Sequence, residues 1–220
     1  MTARVVPDDA AGRAAAIEVL QAGGIVALPT DTVYGIAVAL DTPGGIERLF
    51  DVKRRPPDRG IMLLLDDAAQ AARIAVMTPA AAALAAAAWP GGLSVVAPQR
   101  PDRPLPDVLT GGARTIGLRV PDHDAPRTLA RAVGPLPTTS ANVSGRPEAT
   151  DAASIVAQLG EEIDLVLDGG PAGGSPPSTV VDCTGDRPAV LRQGSLALAD
   201  LIAVLDRAGV RHDLREHDLR

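Results

Sequence analysis

Short apolar runs alternate with longer amphipathic stretches along this chain, and glycine, proline and aspartate mark the changes. Residues 25–28 (IVAL) are continuously apolar behind a glycine pair, and 61–65, 93–97, 115–120, 136–139, 164–167, 178–183 and 189–192 are further short runs. Such runs predict strands, the continuous ones buried on both faces of a sheet. Between them, apolar residues recur at helical spacing over 10–22, 43–53, 67–74, 79–88, 124–133, 151–160 and 196–208. Asp8-Asp9, Asp41-Thr42, Asp66-Asp67, Thr78 and Thr150-Asp151 stand where helix starts and N-caps belong, Pro43 and Pro79 suit a first helical turn, and Gly23 suits a C-cap. Residues 33–40 read as a second strand or as a strand and turn, since periodicity does not decide over so short a run. Residues 99–112, rich in Pro, Gly and Asp, predict a long surface loop. The strands flanking Thr184-Gly185-Asp186 predict a hairpin. Mixed strands and helices with one antiparallel hairpin give an α/β (α+β) fold around a mixed sheet, expected as a single domain over 1–210 with a charged, frayed tail over 211–220.

Composition narrows the function classes. No apolar run approaches the roughly 18 residues of a membrane span, and no basic then apolar segment opens the chain, so a cytoplasmic protein with no membrane partner is expected. The single cysteine, Cys183, excludes an internal disulfide and a multi-cysteine zinc site. It reads as a small core residue. Three aromatic residues (Tyr34, Phe50, Trp89) leave nothing to build a base-stacking platform. A formal net charge of −6 argues against general affinity for nucleic acid. No histidine or carboxylate cluster has metal-ligand spacing, and neither the Rossmann nor the Walker glycine pattern is present.

Four stretches carry candidate chemistry. After the 25–28 run, Pro29 denies the ladder an N–H, and Thr30-Asp31-Thr32 leads to Tyr34 and Gly35, either a binding loop or a simple Asx turn. Lys53, Arg54, Arg55 and Arg59 crowd into seven residues, and Lys53 is the only lysine in a chain otherwise built with arginine. That points either to a place needing a compact ammonium or to a solvated helix end. Arg119 closes an otherwise strand-like run, on an exposed face or aimed at a carboxylate or phosphate. Thr138, Thr139, Ser140, Asn142 and Ser144 form a dense hydrogen-bonding loop or a turn. Ser140 lies in no nucleophile elbow and has no histidine nearby in sequence. The glycine- and proline-rich segment 169–178 reads as a lid or substrate loop.

LPTDTVYG, KRRPPDRG, TIGLRVPDH, TSANVSG with STVVD, and LRQG occur in this order between about residues 12 and 207. In these stretches the chain resembles the YrdC/Sua5 family of L-threonylcarbamoyladenylate synthases, in its short form. The resemblance implies a twisted mixed sheet with a concave, positively charged cleft. It also implies condensation of L-threonine, bicarbonate and ATP into threonylcarbamoyl-AMP and pyrophosphate, for threonylcarbamoylation of an adenosine in certain tRNAs. By resemblance Thr32, Arg119, Thr138 and Ser178 bind L-threonine. Lys53, Arg55, Ser140 and Asn142 grip the triphosphate, with Arg59, Thr115, Glu148 and Arg192 as further ATP contacts. Mg2+ is expected through the ATP phosphates rather than on protein ligands. A tRNA threonylcarbamoyl transferase complex is the implied partner, and direct tRNA binding is expected to be weak. Two positions depart from the long form, which has asparagine-proline at Arg59-Gly60 and histidine at Leu64. The competing expectations are a YciO-like paralogue acting on carbamoyl- or threonylcarbamoyl-adenylate, and a noncatalytic protein binding double-stranded RNA by shape.

Overall fold

In the computed structural model, which describes residues 2–56, 59–174 and 176–214, one mixed sheet runs through the molecule. Its strands are β1 (Arg4–Pro7), β2 (Val26–Leu28), β3 (Gly35–Ala37), β4 (Met62–Leu64), β5 (Leu93–Pro98), β6 (Thr115–Arg119), β7 (Leu136–Ser140), β8 (Leu165–Asp168), β9 (Thr179–Asp182) and β10 (Ala189–Arg192). They lie in the order β1-β8-β2-β3-β7-β4-β6-β5-β9-β10. Parallel pairs (β1 with β8, β8 with β2, β4 with β6, β5 with β9) are interleaved with antiparallel ones, and β9 and β10 form the expected hairpin.

Side chains alternate across each strand, so the sheet sorts its apolar residues into two cores. One face carries Ile25, Ala27, Ile36, Leu63, Val95, Leu118 and Val166. It is covered by α2 (Gly45–Lys53), α3 (Ala68–Ile74), α4 (Pro79–Ala88), α7 (Ala152–Leu159) and α8 (Leu198–Arg207). The other face carries Val26, Leu28, Leu136, Leu165 and Leu167, beneath Ala16 and Leu20 of α1 (Ala10–Gln21) and Leu129 of α6 (Asp124–Val133). Burial of the Val, Leu and Ile chains among these, each worth about 1.5–3 kcal/mol, drives assembly of the layers. Further along this second face, small and polar residues replace the aliphatic ones, and the candidate site lies there.

The caps explain several helix starts. Asp9, Asp67, Thr78 and Asp151 each accept a backbone N–H three residues on, and Gly23 takes the left-handed conformation just beyond α1. Three expectations are corrected. The helix expected from Pro43 begins at Gly45, because Gly44 is left-handed (φ 71°) and Gly45 N–H bonds Thr42 O in a turn, leaving Thr42 no capping role. The loop expected over 99–112 contains the short helix α5 (Asp107–Thr110), since Leu105 and Leu109 are buried in the core. Strand β1 was not expected; it is held by parallel pairing to β8, with Arg4 opposite Leu165 and Val5 opposite Val166, 161 residues away in the chain. Residues 57 and 58 of the basic cluster's loop, the middle of the 169–178 segment at Ser175, and the tail beyond 214 lie outside the described residues. Residues 211–214 have no regular secondary structure, and Leu214 packs against the larger core.

Candidate active site

Strand register places the site's side chains. Met62 pairs with Gly117 on one side and Thr138 on the other, Leu64 with Arg119, and Gly35 with Ser140. Residues two apart share a face, so Met62, Leu64, Thr138, Ser140 and Arg119 look the same way. With Thr32, Arg55, Glu148, Ser178 and Arg192 they line one cavity of about 210 Å³. Gly35 forms part of its floor, where an added Cβ would lie 2.8 Å from Thr138 Cγ2.

At one end Arg119, 4% exposed, is held on three sides. Its Nε donates to Gly91 O (3.0 Å), one terminal nitrogen to Thr32 Oγ1 (2.8 Å) and the other to Asp31 Oδ1 (2.6 Å). Burial lowers its pKa, the Asp31 charge and hydrogen bond oppose that shift, and Arg192 adds to it. Three of five N–H donors are used, so two remain for a ligand. Thr30 braces the loop: its hydroxyl donates to Val33 O (2.7 Å) and accepts Thr32 N–H (3.1 Å). Arg192 reaches the same end, donating from Nε (3.1 Å) and Nη2 (2.9 Å) to Ser178 O and from Nη2 to Ser178 Oγ (3.1 Å). Ser178 Oγ lies 2.8 Å from Ser94 Oγ.

At the other end the basic cluster meets the serine–asparagine loop. Lys53 ends α2, and its ammonium donates to Ser140 O (2.6 Å), Ser140 Oγ (2.9 Å) and Asn142 Oδ1 (2.5 Å). Ser140 Oγ donates to Asn142 Oδ1 (2.7 Å), while Asn142 Nδ2 donates to Arg146 O (2.6 Å) and Val143 O (3.2 Å). All three ammonium protons are thus engaged by protein, and Lys53 acts as a buried charge behind the loop. Burial first, then the Arg55 charge, lowers its pKa to about 8, with Glu148 opposing. Arg55 lines the cavity, its Nε on Arg59 O and its Nη2 on Gly60 O, both 2.8 Å.

Of the twelve residues expected here, Thr32, Arg55, Arg119, Thr138, Ser140, Glu148, Ser178 and Arg192 line the cavity, and Lys53 and Asn142 stand directly behind it. Arg192, expected among ATP contacts, lies at the Arg119 end. Arg59 is exposed and Thr115 sits at the far start of β6; neither lines the cavity. Gly60 does line it, and its missing Cβ is needed, because one would lie 2.9 Å from the Thr110 carbonyl. Sequence reasoning missed Asp31, Ser94 and Gly194. Asp31 was visible within the polar loop. Ser94 is one hydroxyl in an apolar strand, and Gly194 matters through its approach to Pro177 and Ser178, with Pro177 O 2.1 Å from an added Cβ. Cys183 is fully buried, and burial, then the Asp182 charge, pushes its thiol up to about 12, so it is inert. Among the described residues no group of three or more His, Cys, Asp or Glu side chains is arranged to hold a metal. No helix among them is long and apolar enough to cross a membrane.

Residues 18–194 match the family model Sua5_yciO_yrdC, which bears the description "Telomere recombination". The chain belongs to the Sua5/YciO/YrdC family. A Bacillus subtilis relative named threonylcarbamoyl-AMP synthase is 34% identical over 194 residues, covering 87% of this chain and 56% of its own. The chain therefore spans little more than half that relative's length. A Mycobacterium tuberculosis relative, named putative threonylcarbamoyl-AMP synthase, is 36% identical over 195 residues, covering 88% of this chain and 89% of its own. The crystal structure of Pyrococcus abyssi Sua5 complexed with L-threonine superposes with a TM-score of 0.85 at 31% identity, covering 96% of this chain and 62% of that one. The fold of that structure thus matches the mixed sheet described above, and the LPTDTVYG, TSANVSG and LRQG stretches of this chain each contribute residues to the cavity.

Proposed function

We propose that this chain is an L-threonylcarbamoyladenylate synthase, a nucleotidyltransferase that condenses L-threonine, bicarbonate and ATP. The observation that carries the reading is that one cavity joins two anion-seeking ends, Arg119 with Ser178 and Arg192 at one, Arg55 with the Lys53-backed Ser140 loop at the other. The names of the relatives and the threonine complex of P. abyssi Sua5 support it.

On this reading the Arg119 end, with Thr32, Thr138 and Ser178, receives the amino acid, its carboxylate on the two free guanidinium N–H groups. The threonine amine attacks the bicarbonate carbon, a C–O bond breaks, and water leaves as the carbamate forms. A carbamate oxygen then attacks the α-phosphorus of ATP, and pyrophosphate departs. Both reacting partners are anionic, so the protein's task is to hold them in line and neutralise charge. Lys53, Arg55, Ser140, Asn142 and Glu148 form the ATP end, and Lys53 contributes through its field from behind the loop. Mg2+ carried on the ATP phosphates would supply further neutralisation there, with substrate oxygens and water as its ligands. The product would pass to a tRNA threonylcarbamoyl transferase in the cytoplasm.

The test is pyrophosphate release from ATP and bicarbonate with L-threonine, L-serine, glycine or no amino acid. Release that needs both bicarbonate and L-threonine is expected. Release indifferent to the amino acid would sink the reading and favour a carbamoyl-adenylate paralogue.

A further inference from the structure

Behind the Arg119 end, Ser94 on β5 is fully buried, on the same face of the sheet as Arg119. Its strand is otherwise apolar over 93–97, so the hydroxyl is a lone polar group in a core position. Two acceptors lie within its reach: Ser178 Oγ at 2.8 Å and Met62 Sδ at 3.8 Å. A hydroxyl has one proton and two lone pairs, and thioether sulfur is a weak acceptor, so with an anionic oxygen in the cavity to take the Ser178 proton, the stronger set of bonds has Ser94 donating to Ser178. Ser178 Oγ also receives an N–H from Arg192 at 3.1 Å. Both its lone pairs are then filled, and its proton has only the cavity left to face. The opposite arrangement, with Ser178 donating to Ser94 and Ser94 to Met62, keeps the bond between the two serines but replaces the O–H···O bond from Ser178 to a carboxylate in the cavity with a weak O–H···S bond. It would also turn a lone pair of Ser178 toward any anion held at Arg119.

We propose that Ser94 is a positioning residue that fixes the hydrogen-bond polarity of Ser178, turning its hydroxyl proton toward the carboxylate of the amino-acid substrate. The inference rests on the proposed synthase reading and extends it to a residue that never touches substrate. It also accounts for Arg192 lying at this end of the cavity. Arg192 fills one lone pair of Ser178 and twice grips its carbonyl, while Gly194, two residues further on, packs against Pro177 and Ser178 where a Cβ would not fit.

The experiment compares wild type, Ser94→Ala and Ser94→Cys by calorimetric titration with L-threonine and by Michaelis constants for L-threonine and ATP. Cysteine keeps the shape and loses the strong donor. Loss of one oriented hydrogen bond should raise the dissociation and Michaelis constants for L-threonine roughly fivefold in both variants, with the ATP constant unchanged. An unchanged threonine constant in a folded Ser94→Ala protein overturns the inference, as does a cysteine variant that behaves like wild type while alanine does not. A rise shared equally by ATP assigns Ser94 a merely structural role and also overturns it. Absence of threonine binding and threonine-dependent release in the wild type defeats the synthase reading itself, and this inference with it.

Discussion

Lys53 offers the sharpest quantitative test, because the residue is only 3% exposed and its pKa is lowered to about 8 from an ordinary 10.5. Burial is the main cause, the Arg55 charge adds to it, and Glu148 opposes. ATP brought to the Ser140 loop places several negative charges in front of that ammonium and should raise its pKa back toward 10.5. Binding then takes up a proton wherever free Lys53 has lost one: about 0.1 proton at pH 7 and about 0.9 at pH 9. ATP affinity should accordingly weaken about tenfold between pH 7 and pH 9, or about 1.4 kcal/mol. The titration is run with saturating Mg2+, which keeps ATP's terminal phosphate ionised over this range, so that it does not mimic the effect. Titration calorimetry in buffers of differing ionisation enthalpy measures the proton uptake directly. In Lys53→Met the slope should flatten. The same slope in Lys53→Met, or no uptake at pH 9 in the wild type, would refute the argument. The free protein gives a second readout. Between pH 8 and 10.5 the unfolded chain holds the Lys53 proton while the folded chain has released it, so this group makes stability rise with pH there. The penalty is fully present below pH 8, and its relief is worth up to about 3 kcal/mol.

Three further outcomes are expected. Thr32→Val keeps the side chain's shape but removes the acceptor of an Arg119 N–H, so the Michaelis constant for L-threonine should rise about tenfold while ATP use is spared; an unchanged value removes Thr32 from the site. Tyr34→Phe deletes the hydroxyl that donates to Gly170 O (2.6 Å) and accepts Gly169 N–H (3.0 Å), and urea titration should show a loss of about 1–3 kcal/mol. A loss below about 0.5 kcal/mol would mean that the glycine segment has no need of that anchor. Gly194→Ala would push a methyl group to 2.1 Å from Pro177 O and 2.5 Å from the Ser178 carbonyl carbon, so it should abolish measurable L-threonine binding while ATP still binds to the folded protein; wild-type threonine affinity would contradict this.

Local chemistry made much of this protein legible in its sequence. The α6 helix occupies the residues its periodicity predicts, the caps at Asp9, Asp67, Thr78 and Asp151 work as side-chain acceptors, and every apolar run named became part of a strand. These features depend on neighbours within a few residues, which the sequence displays. The start of α2 was misread because the left-handed turn at Gly44 outcompeted the Thr42 cap, and α5 was missed because Leu105 and Leu109 are buried by distant elements.

The site was legible as a set of stretches, not as an arrangement. Lys53 meets Ser140 and Asn142 across 87 and 89 residues, Arg119 meets Thr32 across 87, and Ser94 meets Ser178 across 84. Only the strand order brings these together, and strand order depends on which faces and edges can be buried jointly, a property of the whole chain rather than of any window. The alternation in each strand determined that Thr138 and Ser140 share a face, as do Gly117 and Arg119. Which part of the face was left open as a cavity was decided by the tertiary packing of α1 and α6 over one part of the sheet and not the other, and Lys53 reaches the loop with its protons engaged because α2 packs on the opposite face.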